Sequence, residues 1–210
     1  MRKITRNDIA SARSACVWDL GNRVLYELCS KHSGHCEADE IVAKIWLIGR
    51  SYAASIERRR NATQAGDRFY EETVVPAMRK SGIDSWLASV PRHGRPGSPE
   101  SVEVHKMLMD LFRSVTGLNK RSLASKYLHF HSPGSFYIYD SRARQAITKV
   151  VPRLNRIPDI RTSTCDPEYK DFVRRCMWLW QHVRETHGIA LSPRELDKLL
   201  LAITEENAGA

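Results

Sequence analysis

Residues 121–144 read RSLASKYLHFHSPGSFYIYDSRAR. The stretch predicts one helix over Arg121–Phe130 and another over Ser141–Val151, with Asp140 placed to cap the second. Between them, Phe136–Tyr139 is the only β-leaning run in the chain, and it is too short to seed a sheet. With no strand and turn pattern elsewhere, the fold class is all-α.

The flanking sequence is punctuated in the same way. Asn7 and Asp8 open an apolar-periodic run from Ile9 to Cys29 that ends near Gly34, with Gly21 inside it as a possible break. Asp39 opens a second run, with Ile41, Ile45, Ile48, Tyr52 and Ile56 at helical spacing. That run closes on Glu57-Arg58-Arg59-Arg60, a basic end that complements a helix dipole and equally suits a phosphate. A third helix spans Asp67–Lys80, shortened or kinked by Pro76. Ser98-Pro99-Glu100 opens a long helix through Val115, with Gly117 just past its end. Asp166-Pro167 opens a helix to Gly188, and Ser192-Pro193-Arg194-Glu195 is a capping box for the last one. Residues 91–99, PRHGRPGSP, form the candidate linker. The organisation expected is an N-terminal helical lobe (1–90), the linker (91–99), a hairpin-bearing region (100–160) and C-terminal helices (161–210).

The chain has 210 residues, of which 42% are hydrophobic, enough for a real core. No apolar run reaches the ~18 residues of a membrane span. The opening MRKITRNDIA has no apolar stretch of the secretory type. Five cysteines without paired spacing fit reduced thiols and a cytoplasmic location, on or near the nucleoid if the partner is DNA. A monomer is expected, with no membrane partner. The net charge is +9, and it is concentrated. Residues 113–156 hold nine cations: Arg113, Lys120, Arg121, Lys126, Arg142, Arg144, Lys149, Arg153 and Arg156. They hold one acid, Asp140, so this segment carries +8 (nine minus one) of the total. Such a surface is the electrostatic footprint of phosphate binding, and double-stranded DNA is the expected partner.

A lone carboxylate in that field has two readings. It caps a helix, worth ~1 kcal/mol. Alternatively, an ionised carboxylate beside bound nucleic acid stabilises developing positive charge or orients a water. The two roles are compatible.

Ser122-Leu123-Ala124-Ser125-Lys126-Tyr127-Leu128, followed by Ile138-Tyr139-Asp140, resembles the helix-hairpin-helix DNA glycosylases, in particular their 8-oxoguanine branch. In that branch a Lys-x-Ala-Ser-x-aromatic-Leu helix is followed, eighteen residues after its Lys, by an Ile-x-Asp that starts the next helix. Ala124-Ser125, Tyr127-Leu128 and Ile138-x-Asp140 match, and Ser122 and Asp140 are eighteen residues apart. The resemblance covers about twenty residues of the 210. It implies a two-lobed helical bundle with a cleft between the lobes. It also implies extrusion of a target base from the stack and hydrolysis of its N-glycosidic bond with support from Asp140. No cofactor or metal is implied.

The family's Schiff-base lysine position holds Ser122 here. A serine forms no imine, so the resemblance implies a monofunctional hydrolase that leaves an abasic site, unless Lys120 or Lys126 substitutes. The hairpin usually reads Gly-x-Gly. Here Thr116-Gly117-Leu118-Asn119-Lys120 has one glycine, leaving Asn119, Lys120 and Arg121 to hold phosphate by side chain, or the hairpin to be differently shaped. Lys126, Arg142 and Arg144 complete the expected DNA contacts. The base pocket is not assigned. Oxidised guanine is the family's substrate; a hypermodified phage base such as glucosylated hydroxymethylcytosine is the alternative, which would place the protein in antiviral defence and not base excision repair.

Cys29, His32, His35 and Cys36 carry metal-type ligands at a spacing that fits no standard zinc pattern. His129 and His131 flank Phe130 beside the candidate site, as packed residues, DNA contacts or an acid. Trp18, Trp46, Trp86, Trp178 and Trp180 read as core, with one or two free to stack on a base. The rival readings are a non-catalytic helix-hairpin-helix DNA-binding module and a helical protein adaptor.

Overall fold

The computed structural model describes residues 1–60, 66–91 and 96–206. All regular structure among them is helical. The helices are α1 (Arg6–Arg13), α2 (Asp19–Lys31), α3 (Ala38–Ser51), α4 (Gly66–Phe69), α5 (Val75–Lys80), α6 (Ile83–Ser89), α7 (Pro99–Thr116), α8 (Arg121–His131), α9 (Ser141–Val150), α10 (Pro167–His187) and α11 (Pro193–Glu206). None of them is long and apolar enough to cross a membrane. All five cysteines are free thiols.

Most expected caps are formed. Ser98 accepts the Ser101 amide ahead of α7, and Gly117 ends that helix at φ +72°. Asp166 accepts the Tyr169 amide and Gly188 closes α10 at φ +71°. Ser192 and Glu195 exchange side-chain-to-backbone bonds at the start of α11. At Pro76 the chain does not break. It passes from α4 to α5 through a π-helical turn, Tyr70–Val74. Proline lacks the amide that an α-turn would use, and its ring would crowd the carbonyl four residues back; the wider turn relieves both.

Three boundaries differ from the sequence reading. The run from Ile9 to Cys29 is broken at 14–18, ahead of Gly21, which is helical. The Ile41–Arg60 run ends at Ser51, because Ala53 takes a left-handed conformation (φ +49°) and Ala54 bonds back to the Gly49 carbonyl at 2.8 Å. No glycine or proline announces that stop. A Cβ on Gly49 would meet Ser55 Cα at 3.3 Å, a tight contact that the folded-back loop would have to shift to relieve. The third difference is α6, a helix the sequence pattern did not announce.

The core forms two clusters. One joins α2, α3, α5, α6 and α8 with the inner face of α7. The other joins α1, α9, α10 and α11. This partition differs from a division at residues 90, 100 and 160. α7 and α8 bury their apolar faces with the preceding helices, and Ile9 and Ala12 of α1 join the C-terminal cluster. Within the linker, residues 92–95 lie outside the described set. Its flanks are tied down: Ser135 bonds to the Pro91 carbonyl and to the Gly97 amide.

The segment Phe136–Asp140 is extended and crosses from one cluster to the other. Phe136 packs in the first, while Tyr137 and Tyr139 pack in the second. Ser125 staples it to α8: its hydroxyl accepts the Tyr139 amide at 3.0 Å and donates to the Ser122 carbonyl at 3.0 Å. His129 holds the other end, Nδ1 donating to the Phe136 carbonyl at 2.8 Å. Buried backbone groups in irregular structure need such partners; losing one costs about 1–3 kcal/mol.

Candidate functional site

Asp140 is the N-cap of α9. Its Oδ1 accepts the Ala143 amide at 2.8 Å. Its Oδ2 makes no hydrogen bond among the described residues, and the side chain is half-buried. One carboxylate oxygen therefore serves the helix while the other stays open, and the cap leaves room for chemistry.

Asp140 belongs to a charged cluster between the two cores. Lys126 is buried on α8, with Nζ 2.8 Å from Ser122 Oγ and 3.4 Å from the Tyr52 carbonyl. Its ammonium also lies 5.5 Å from the centre of the Tyr52 ring. Burial pushes the Lys126 pKa down, while the charges of Asp140 and Asp197 pull it up. Arg194, at the start of α11, donates to Asp197 at 2.6 Å and sits 6.0 Å from the Tyr52 ring. Asp197 is fully buried, its Oδ1 without a hydrogen-bond partner among the described residues. Burial raises its pKa to about 7 against the pull of Arg194, and the Asp140 charge adds to the rise. Two carboxylates in one cluster thus differ in surroundings: one is open with a cap bond, the other enclosed and easily protonated.

Beside this interior lies the hairpin between α7 and α8. A cleft of about 440 Å³ runs along it, lined by Gly49, Ala53, Ser55, Arg58, Asn119, Lys120 and Ser122 among others. The 52–60 loop, freed from α3 by the stop at Ala53, docks here: the Arg60 amide bonds to the Thr116 carbonyl at 2.9 Å. Lys120 donates to the Ser55 carbonyl at 2.7 Å. Half-burial, aided by Arg58, lowers its pKa to about 8. Lys120 is also the N-cap of α8, and no side chain caps that helix. Its first-turn amides therefore remain available to an anion. Arg58 and Arg60 belong to this loop and not to a helix C-terminus, contrary to the reading of the 57–60 run. A single glycine suffices at the hairpin, because Gly117 alone takes the left-handed conformation there.

The expected DNA contacts separate into different groups. Asn119 and Lys120 are at the cleft. Arg142 and Arg144 are exposed on the first turn of α9. Arg121 is not at the surface reading's disposal: Nε and Nη2 grip Asp166, and Nη1 meets Glu168 at 2.8 Å. Arg144 also leans on Glu168, at 3.7 Å. Acids from α10 thus neutralise part of a field that was all but acid-free in sequence. Lys126 is interior and does not reach a DNA backbone from this position. Ser122 touches both regions, lining the cleft and accepting from Lys126.

His129 is fully buried. With Nδ1 donating to Phe136, its Nε2 accepts from Tyr26 Oη at 2.7 Å. Burial lowers its pKa to about 4, so it is neither a DNA contact nor an acid at neutral pH. His32 pairs with Glu40, and His35 with Asp84, each at 2.6 Å. The buried Lys44 ammonium donates to the His32 and Gly34 carbonyls from inside their loop. No group of three or more metal-type ligands is assembled among the described residues. Trp18 is 70% exposed and Trp46 44%, so neither is core. Trp86, Trp178 and Trp180 pack partly buried against the two clusters.

Sequence reasoning missed Tyr52, Arg194 and Asp197. Arg194 and Asp197 are three apart on α11, a helical pair hidden inside what read as a capping box. Comparison with protein-family models, with curated proteins and with solved structures found no match to this chain.

Proposed function

We propose that this protein is a monofunctional DNA glycosylase of the helix-hairpin-helix type, with the two core clusters as its lobes and Asp140 as the catalytic carboxylate. The observation that carries the reading is the divided use of Asp140: one oxygen caps α9 and the other is open, beside a cationic hairpin whose helix N-terminus is uncapped. On this reading Asn119, Lys120 and Arg58 hold a phosphate at the hairpin. Arg142 and Arg144 meet the backbone beyond it. As the bond from C1′ to the base nitrogen breaks, its electron pair leaves with the base and the sugar gains positive charge. The Asp140 carboxylate stabilises that charge and takes a proton from the water that attacks C1′. An abasic site remains in an intact strand. The base is either oxidised guanine or a hypermodified phage base.

Mass spectrometry of bases released from a panel of damaged and phage DNAs tests the activity. Asp140→Asn keeps the cap and removes the charge. It is expected to lower base release roughly 10³-fold and to leave DNA binding unchanged or tighter. If no DNA yields abasic sites with the unaltered chain, the protein is a binding module. A bifunctional reading has its own observation, the Lys126 amine 2.8 Å from the hydroxyl that occupies the Schiff-base position. A covalent adduct trapped by borohydride, and lost in Lys126→Met, would replace the monofunctional reading with that one.

A further inference from the structure

The cavity where α8 ends takes no part in the chemistry above. It encloses about 600 Å³ between α2, α6 and residues 130–135, within the ~300–1,000 Å³ of small-molecule sites. Its polar lining is rich in hydroxyls, from Ser30, Ser33, Ser132 and Ser135. The first three hydroxyls make no hydrogen bond among the described residues. Asp84 adds a half-exposed carboxylate, braced by His35 at 2.6 Å. His131 adds a ring whose Nε2 is buried without a partner. Burial, with the charges of His35 and Lys44 beside it, holds that ring neutral by pushing its pKa far down. Tyr26, Leu87 and Pro133 supply apolar lining, with the Phe130 ring buried behind that of Tyr26, their centroids 4.8 Å apart.

This lining selects by charge. Among the described residues that form it there is no lysine or arginine. Asp84 and the C-terminal ends of α2 and α8 all present negative potential. No cationic side chain lines the cavity to pair with an anion such as phosphate, and the Lys44 ammonium behind the Gly34 wall is already bound to the His32 and Gly34 carbonyls. A neutral ring carrying hydroxyls has what it needs: an acceptor in Asp84, exchangeable partners in the serines, and apolar contact from Tyr26, Leu87 and Pro133.

We propose that this cavity binds a neutral, hydroxyl-bearing ring of sugar size. That chemistry has two sources: a free saccharide, or a sugar carried on an extruded DNA base. The second source rests on the glycosylase reading. Ser122, Lys126 and Phe130 are four residues apart along one stripe of α8, so the cavity begins about one helical turn (~5.4 Å) beyond Lys126. Tyr26, in its wall, lies within the electrostatic reach of Arg194 and Asp197. On that reading the cavity is the next space along α8 from the Lys126–Asp140 cluster, beyond the buried Phe130 ring.

Methyl glucoside is the probe, titrated calorimetrically into the full chain. Ala88→Trp and Ser30→Leu fill the cavity from exposed positions on α6 and α2, and thermal melts verify that each folds. Saturable glucoside binding that weakens roughly tenfold or more (about 1.4 kcal/mol) in both variants, with inorganic phosphate not competing, is the expected result. The DNA arm compares base release from duplexes containing glucosylated hydroxymethylcytosine or plain cytosine. Preferential release of the glucosylated base, lost in Ala88→Trp, assigns the substituent as the source, even if the free glucoside is too weak to titrate. Glucoside binding without release of the glucosylated base leaves the cavity proposal standing and assigns the free saccharide as its source. The proposal is overturned if glucoside binding is indifferent to both variants. It is equally overturned if the glucoside fails to bind while the DNA arm shows no release, or release that Ala88→Trp leaves unchanged.

Discussion

Lys120 and Lys126 stand six residues apart on one helix and its cap, and a reading of charge alone treats them alike. Their surroundings do not. Lys120 sits at the rim, half-buried, with Asn119, Arg58 and a row of uncapped amides around an open cleft. Lys126 points inward to Ser122, Tyr52 and the Asp140–Asp197 pair. The rim leaves its cations beside an open cleft; the interior sets its cation among its own acids. Cations in a basic segment therefore differ in surroundings according to depth, and on the proposed DNA-binding reading only the rim ones count towards a footprint.

The contrast can be broken most readily at Arg121. If it belongs to the interior, Arg121→Gln leaves the buried Asp166 without its cation and lowers stability by on the order of 3 kcal/mol, while DNA affinity per folded molecule is unchanged. Chemical denaturation and binding of the same sample read both. A loss of affinity at unchanged stability would return Arg121 to the rim.

A smaller effect sharpens the interior side. The Asp197 pKa is raised to about 7 in the folded chain, above its unfolded value near 3.9. Between those two pH values the folded state binds the extra proton, so stability falls as pH rises from about 4 to about 7 and is flat beyond. Asp197→Asn is expected to flatten that part of the melting-temperature profile. An unchanged slope would show that Asp197 titrates as an ordinary carboxylate.

The smallest effect tests the rim. Lys120→Gln is expected to lower DNA affinity several-fold and to reduce the slope of log affinity against log salt by about 1. Because burial sets the Lys120 pKa near 8, its charge is present below that value and lost above it. The difference in affinity between Lys120→Gln and the unaltered chain should therefore shrink from pH 7 to pH 9. A salt slope unmoved by the substitution would remove Lys120 from the footprint.

Much of the scaffold was legible because caps are local. Ser98, Asp140, Asp166 and Ser192 each declare a helix within four residues of themselves, and each helix is there. The end of α3 was not legible, because an alanine adopts the conformation that usually calls for glycine. Of the candidate site, the Asp140 cap and the hairpin between α7 and α8 were legible, because residue type and neighbours in sequence carry the signal there. The site was not legible at Tyr52, Arg194 and Asp197. Those residues come from chain segments about 140 residues apart and acquire meaning only when α11 packs beside α9. The ion pairs of Arg121 were not legible for the same reason, since its partners lie 45 and 47 residues further on.

The Ser125 hydroxyl settles what kind of signature marks this site. It fastens the backbone of Tyr139 directly to α8, so Asp140 is located by that junction and not by the length of chain that leads to it. Residues 132–134 hang outside the junction, at a turn on the surface. Relatives could lengthen or shorten that turn and keep the carboxylate in place. A search keyed to an eighteen-residue interval would pass over them; one keyed to a small hydroxylated residue three positions after the helix-opening serine, followed by an extended aromatic segment ending in aspartate, would not.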